Sequence, residues 1–131
     1  MFLEEFLNDT MAQKKYFGQK IAYSACPFGL NDIIKDDVKD FNIVDVRNYD
    51  DYINGHIPYA VHIPIEEFEE HLNMLEHDKV NIIYCESDFC LRATKAAYKA
   101  SSNGYKVKTL LGGYKIWKKL GFDTVKTSSE D

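Results

Sequence analysis

At 131 residues with a formal net charge of -5, the chain has the length of one domain and is too acidic for a general nucleic-acid or anionic-membrane binder. Its hydrophobic content of 45% and charged content of 28% are those of a globular protein, and a chain of this size buries roughly two-thirds of its unfolded surface, so no disulfide or metal staple is required. No stretch approaches the ~20 apolar residues of a membrane span, Met1–Glu5 lacks the basic start of a secretion signal, and the cysteine count of 3 is odd; reduced thiols in a cytoplasmic compartment are the expectation.

Residues 2–17 place Phe2, Leu3, Phe6, Leu7, Met11 and Phe17 at helical spacings, which predicts an amphipathic helix. Its expected role is packing on the domain or contact with a second copy, so monomer and homodimer both stay open. Residues 1–18 are assigned to this helix, 19–125 to the domain proper and 126–131 to a polar, flexible tail. Gly18 is the expected stop. Ile21–Ser24 reads as a short strand, and Pro27 with Gly29 as a turn. Asn31 or Asp32 then caps a short helix through Lys39, with Ile33, Ile34 and Val38 facing inward.

Phe41–Val46 is a near-continuous apolar run, the pattern of a parallel strand buried on both faces, and it ends around Asp45 and Arg47. A short helix is predicted over 48–54, stopping at Gly55. Ala60–Ile63 reads as a strand between Pro58 and Pro64, and 65–75 as an acidic amphipathic helix carrying Phe68, Leu72 and Leu75. Val80–Tyr84 is a further strand. A helix over about 91–102 stops before Asn103-Gly104. Val107–Leu111 is the last strand, and Gly112-Gly113 turns into a helix with Tyr114, Ile116, Trp117 and Leu120 that closes at Gly121. Strands alternate with helices over short connections. The expected fold class is therefore α/β, with a central, mostly parallel sheet covered by helices on both faces. In such sheets ligands bind beyond the carboxyl ends of the strands.

Cys85 stands at one of those ends. It is followed by a polar loop of Glu86, Ser87, Asp88, Phe89, Cys90 and Leu91, and then by Arg92 at the start of an Ala- and Lys-rich helix. A thiol becomes a nucleophile when its thiolate is stabilised. The amino terminus of the helix offers unpaired N–H groups and partial positive charge. A loop curled around Cys85 aims further amides inward, and Arg92 adds a fixed cation. Such a cradle suits a thiolate, a persulfide, or an oxyanion such as thiosulfate or phosphate. Two plainer readings stay open: Cys85 as a small apolar filler, and Cys85 with Cys90 as a redox pair. Cys85, Cys90, His56 and His62 form no recognised zinc pattern, and no metal or other cofactor is expected. Asp45 and Arg47 are expected to pair structurally, with each other or with loop backbone, His56 to hydrogen-bond a neighbouring loop, and His62 and Trp117 to belong to the core.

Several motifs then coincide in order. Ile43-Val44-Asp45-Val46-Arg47, Tyr52 and Gly55-His56-Ile57-Pro58-Tyr59-Ala60 resemble the amino-terminal signature of the rhodanese family. Ile82-Ile83-Tyr84-Cys85 resembles its active-site strand. Gly104-Tyr105, Leu110-Leu111-Gly112-Gly113, Trp117 and Gly121 resemble its carboxyl-terminal signature. The resemblance covers residues from about 20 to 125 and implies a single-domain sulfurtransferase of the thiosulfate type. On that resemblance Cys85 would take sulfane sulfur from a small or protein donor, hold it as a persulfide and pass it to a thiophilic acceptor. The loop amides would stabilise the anion, and Asp45, Arg47 and His56 would support the loop.

The loop departs from the family pattern. The family's arginine usually follows the cysteine by five positions, where Cys90 stands here, and Arg92 lies seven after Cys85, so a two-residue insertion is read. The usual loop glycine is missing. Glu86 and Asp88 put two acids beside the thiol, which should raise its pKa and repel thiosulfate. Tyr59 stands where the family usually has glycine. The longer loop also resembles that of cysteine phosphatases of the cell-division-cycle type, which makes phosphatase or arsenate-reductase chemistry an alternative. A catalytically inert binding module is another.

Overall fold

A computed structural model describes residues 2–127. The apolar runs form five strands: β1 (Ser24–Ala25), β2 (Phe41–Asp45), β3 (Val61–His62), β4 (Val80–Tyr84) and β5 (Lys106–Leu110). All pair in parallel, in the order β1-β5-β4-β2-β3. Between them run α1 (Phe2–Asn8), α2 (Thr10–Tyr23), α3 (Pro27–Asp36), α4 (Tyr49–Asn54), a 3₁₀ segment (Ile65–Met74), α5 (Arg92–Ser102) and α6 (Gly113–Lys119). The expected α/β architecture is thus present, with β4 at the centre of the sheet. Among the described residues no helix is long and apolar enough to cross a membrane.

Strand side chains alternate between faces, and this parity sorts the core into two layers. On one face Ile43, Ile82 and Tyr84 pack with Leu30 of α3 and with Tyr114 and Trp117 of α6. On the other, Val44, Val46, Ile83 and Cys85 pack with Phe68 of the 3₁₀ segment and with Ala93, Ala96 and Ala100 of α5. The run reads as continuous in sequence because both parities are buried. Each large side chain enclosed this way contributes about 1.5–3 kcal/mol. The alanine stripe at helical spacing brings α5 close to the sheet, with Ala96 and Ala100 fully buried.

The amino-terminal expectations are corrected. The helical stretch breaks at Asp9, whose carboxylate accepts from the Ala12 amide at 3.0 Å and caps α2. Gly18 does not stop it: α2 runs on to Tyr23 through good helix formers, with Lys20 in its last turn, which outweigh a glycine cost of about 1 kcal/mol. Only Ser24–Ala25 is strand, paired with Thr109–Leu110. Nor is α2 amphipathic as expected. None of its side chains is buried, and Met11, Phe17 and Ile21 are exposed. The side chains of Phe2, Leu3 and Phe6 lie outside what is described. Pro27 and Gly29 form no turn: Pro27 opens α3, where its missing N–H costs nothing, so this helix starts before Asn31 and ends at Asp36. In the expected tail, Thr127 donates to the Ile53 carbonyl at 3.0 Å, just beyond the pairing of Val125 with His56, while residues 128–131 lie outside the described chain.

Tyr59 has φ +71°, the left-handed region in which its Cβ is strained. The side chain is 66% exposed, so little packing offsets the strain. The glycine usual at this position of the family signature has a conformational reason. Tyr59→Gly is expected to stabilise the fold by about 0.5–1 kcal/mol after the entropy cost of glycine, read as a higher urea midpoint at unchanged slope.

Candidate active site

The site is built where β2 and β4 end side by side, with Asp45 paired to Tyr84. Parity sends Asp45, Arg47, Tyr84 and Glu86 toward the α6 face and Cys85 toward the α5 face. The two groups are neighbours in sequence and are separated by the sheet.

On the α6 face Arg47 is 2% exposed and Asp45 fully buried. The guanidinium grips Asp45, with Nη2 at 2.8 Å from Oδ2 and Nε at 3.1 Å from both oxygens. Nη2 also donates to the Gly55 carbonyl at 2.6 Å, and Nη1 to Glu86 Oε1 at 3.3 Å. The cation lies 4.0 Å from the centroid of the Tyr114 ring. Burial works against this charge, but the hydrogen bond and the charge of Asp45 raise the Arg47 pKa further above its usual range. The Tyr84 hydroxyl accepts from the Ile57 amide at 3.1 Å, and burial first, then the Asp45 charge, push its pKa up. Asp45 and Arg47 therefore pair as expected, and their cluster reaches the loop through Glu86.

Cys85 is 2% exposed. Its thiol donates to the carbonyls of Cys90 at 3.2 Å and Ser87 at 3.4 Å. Burial pushes the thiol pKa up; the Ala93 amide pulls it down, the neighbouring Cys90 side chain pushes it up, and the Ser87 amide pulls it down. The Ala93 amide is one of the orphan donors of α5, whose N-cap residue Leu91 makes no side-chain capping bond. The sulfur thus takes part of the place a capping side chain would fill. In place of the expected cradle of amides, the hydrogen bonds at the sulfur are to the carbonyls of Cys90 and Ser87.

The loop itself is braced from α6. The Tyr114 and Lys115 amides donate to the Cys85 and Glu86 carbonyls, each at 2.9 Å, and Asp88 Oδ1 accepts from the Gly112 amide at 2.8 Å. Gly113 has φ +62°, and a Cβ there would sit 2.6 Å from the Cys85 carbonyl oxygen. Only glycine lets the backbones meet so closely. The two acids next to the thiol are engaged elsewhere: Glu86 faces Arg47, and Asp88 caps the turn into α6. The thiol pKa is raised as expected, with burial rather than these acids as the leading cause.

A cleft of about 40 Å³ opens at the sulfur, lined by Cys85, Ser87, Asp88, Cys90, Ala93 and Thr94 together with Thr109, Leu110 and Gly113. Arg92 does not line it, so the cation expected beside the thiol is absent from the cleft. Phe89 is 98% exposed at the loop tip, with Leu91 also exposed. His56 bonds the Tyr52 carbonyl at 2.9 Å through Nδ1, and His62 bonds the Arg47 carbonyl at 2.7 Å through Nε2. The two rings stack on Tyr52, and neither lines the cleft. Sequence reading missed Thr94 and Thr109 as lining residues and the bracing by the Tyr114 and Lys115 amides. The Gly112-Gly113 pair ahead of a helix was the available signal for the latter.

A family model described as the rhodanese-like domain matches residues 30–120. The chain belongs to this family. The crystal structure of a Bacillus halodurans protein is similar to it with a TM-score of 0.84 and 32% identity, covering 91% of this chain and 88% of that one. Thiosulfate sulfurtransferase GlpE of Coxiella burnetii is 30% identical over 81 residues, 61% of this chain and 74% of that protein. An HTH-type transcriptional regulator of Mycobacterium tuberculosis is 38% identical over 79 residues, 60% of this chain and 35% of the regulator. The chain spans less than half the length of the curated relatives that are 38% identical to it. This rhodanese-like chain accordingly has sulfurtransferase homologues at modest identity.

Removing the buried arginine tests the cluster. Arg47→Ala leaves Asp45 charged and unpaired, and is expected to cost about 3–5 kcal/mol in urea unfolding. A loss under about 1 kcal/mol would show that the pair is not the brace described.

Proposed function

We propose that the chain is a sulfurtransferase that carries sulfane sulfur as a persulfide on Cys85. The observation that carries this reading is a nearly enclosed thiol at the end of the central strand with a small cleft in front of it; the Ala93 and Ser87 amides favour its thiolate against the effect of burial. In the first half-reaction the Cys85 thiolate attacks the outer sulfur of a donor such as thiosulfate. The new S–S bond forms as the donor's own breaks, and sulfite leaves with the electron pair. In the second, a thiophilic acceptor attacks the outer sulfur and Cys85 leaves as thiolate. The amides of Ser87 and Ala93 stabilise the anion at both stages.

The size of the cleft favours sulfur over phosphoryl chemistry. At about 40 Å³ the cleft is small, which suits one added sulfur better than a phosphoryl group with its ring of oxygens. Arg92, the cation a phosphate would call for, stands outside it. The exposed Phe89 and Leu91 beside the cleft favour a protein as donor or acceptor, since an aromatic side chain at a loop tip is a ready contact for another protein.

Intact-mass measurement after incubation with thiosulfate tests the reading. The Cys85 peptide is expected to gain one sulfur atom, reversed by cyanide and absent in Cys85→Ser. Gain on Cys90 with Cys85 replaced would move the nucleophile. No gain from either thiosulfate or inorganic polysulfide would favour a binding module, in line with the occurrence of a similar segment within a transcriptional regulator.

A further inference from the structure

Two thiols border the same cleft. Cys85 forms its inner wall and is buried, whereas Cys90, five residues on, is half-buried. The Cys85 sulfur donates to the Cys90 carbonyl at 3.2 Å, and the Cys90 side chain lies near enough to raise the Cys85 pKa. The segment joining them, Glu86–Cys90, has no helix or strand, and its middle is exposed. The third cysteine, Cys26, is exposed ahead of α3 and does not line the cleft.

From this juxtaposition we propose that Cys90 is a resolving thiol, which converts the Cys85 persulfide into a Cys85–Cys90 disulfide and releases the sulfane sulfur as hydrogen sulfide. The proposal rests on the persulfide reading above and adds a second fate for the loaded sulfur. The Cys90 sulfur attacks the inner sulfur of Cys85–S–SH, forming the bond between the two cysteines. The bond to the outer sulfur breaks, and that sulfur takes the electron pair and the proton given up by Cys90. One persulfide and one thiol become one disulfide and one hydrogen sulfide. The sulfane sulfur is reduced and the cysteine pair oxidised, so no outside oxidant enters. Return to the dithiol state requires an external dithiol, whose own sulfurs end as a disulfide.

Two sulfurs could be attacked, and leaving-group chemistry decides between them. Attack on the outer sulfur would move it to Cys90 and expel Cys85 as thiolate. Attack on the inner sulfur expels hydrosulfide. The weaker base leaves faster, and burial makes the Cys85 thiolate the poorer leaving group. The inner route is favoured for that reason. The persulfide is thereby discharged from within the loop.

The test loads wild-type protein and Cys90→Ser with polysulfide, removes excess reagent, and follows sulfide release and cysteine state by mass spectrometry without added thiol. Wild type is expected to release one sulfide per loaded chain and to yield a peptide linking Cys85 to Cys90. Cys90→Ser is expected to keep the Cys85 persulfide at least tenfold longer and to release sulfide only when dithiothreitol is added. Equal persulfide lifetimes in the two proteins, with Cys90 still open to alkylation in wild type, would overturn the role of Cys90 and leave the sulfur-transfer reading standing. An extra sulfur on Cys90 would overturn it in favour of a relay. No persulfide on Cys85 in Cys90→Ser would overturn both readings together.

Discussion

The buried ion pair of Arg47 and Asp45 is the constraint on which the site depends. A guanidinium at 2% exposure is tolerated only because its donors are met: by both oxygens of Asp45, by the Gly55 carbonyl and by Glu86, with the Tyr114 ring against its face. Each partner belongs to a different part of the fold. Asp45 ends β2, Gly55 follows α4, Glu86 begins the loop after β4, and Tyr114 lies in α6. One planar cation therefore fixes four segments, a task for which a lysine ammonium lacks both the fork of donors and the stacking face.

That arrangement also sets the chemistry on the other side of the sheet. By holding Glu86, Arg47 keeps the carboxylate nearest in sequence on the face opposite the thiol. Asp88 is held in turn by the Gly112 amide. The sulfur is left with burial, two amides, two carbonyls and Cys90 as its surroundings. The alanine stripe of α5 completes the design, because small side chains let the helix pack closely against the face that carries Cys85. The resulting thiol is guarded by burial, which fits the proposed role of Cys85 as a sulfur carrier.

Much of this was legible in the sequence. The β-branched runs at 41–46 and 80–84, alternating with helical patterns, were enough to give a parallel sheet with Cys85 at a strand end. The asymmetry of the site is legible in principle, since residues one apart on a strand take opposite faces, but sequence distance alone puts both acids beside the thiol. The amino terminus differs from the single helix expected over 2–17 because the helical spacing of its apolar residues carries no sign of the break at Asp9. Helix continuation through Gly18 depends on summed propensity and on the Asp9 cap. The bracing of the loop by α6 could not be read, because it joins backbone groups almost thirty residues apart that carry no side-chain signature. Tyr59 was marked as a departure from glycine, and its positive φ gives that departure its meaning.

The separation of charge from thiol by the sheet is most directly tested by the rate of Cys85 alkylation against pH, followed on the Cys85 peptide in wild type and in Glu86→Gln. Burial disfavours the thiolate, so its formation is deferred to higher pH. The midpoint is expected above the ~8.5 of a free cysteine and unchanged by the substitution, because the glutamate faces Arg47. A midpoint that falls toward the free-cysteine value in Glu86→Gln would contradict the account, since it would mean that the acid, and not burial, governs the thiol.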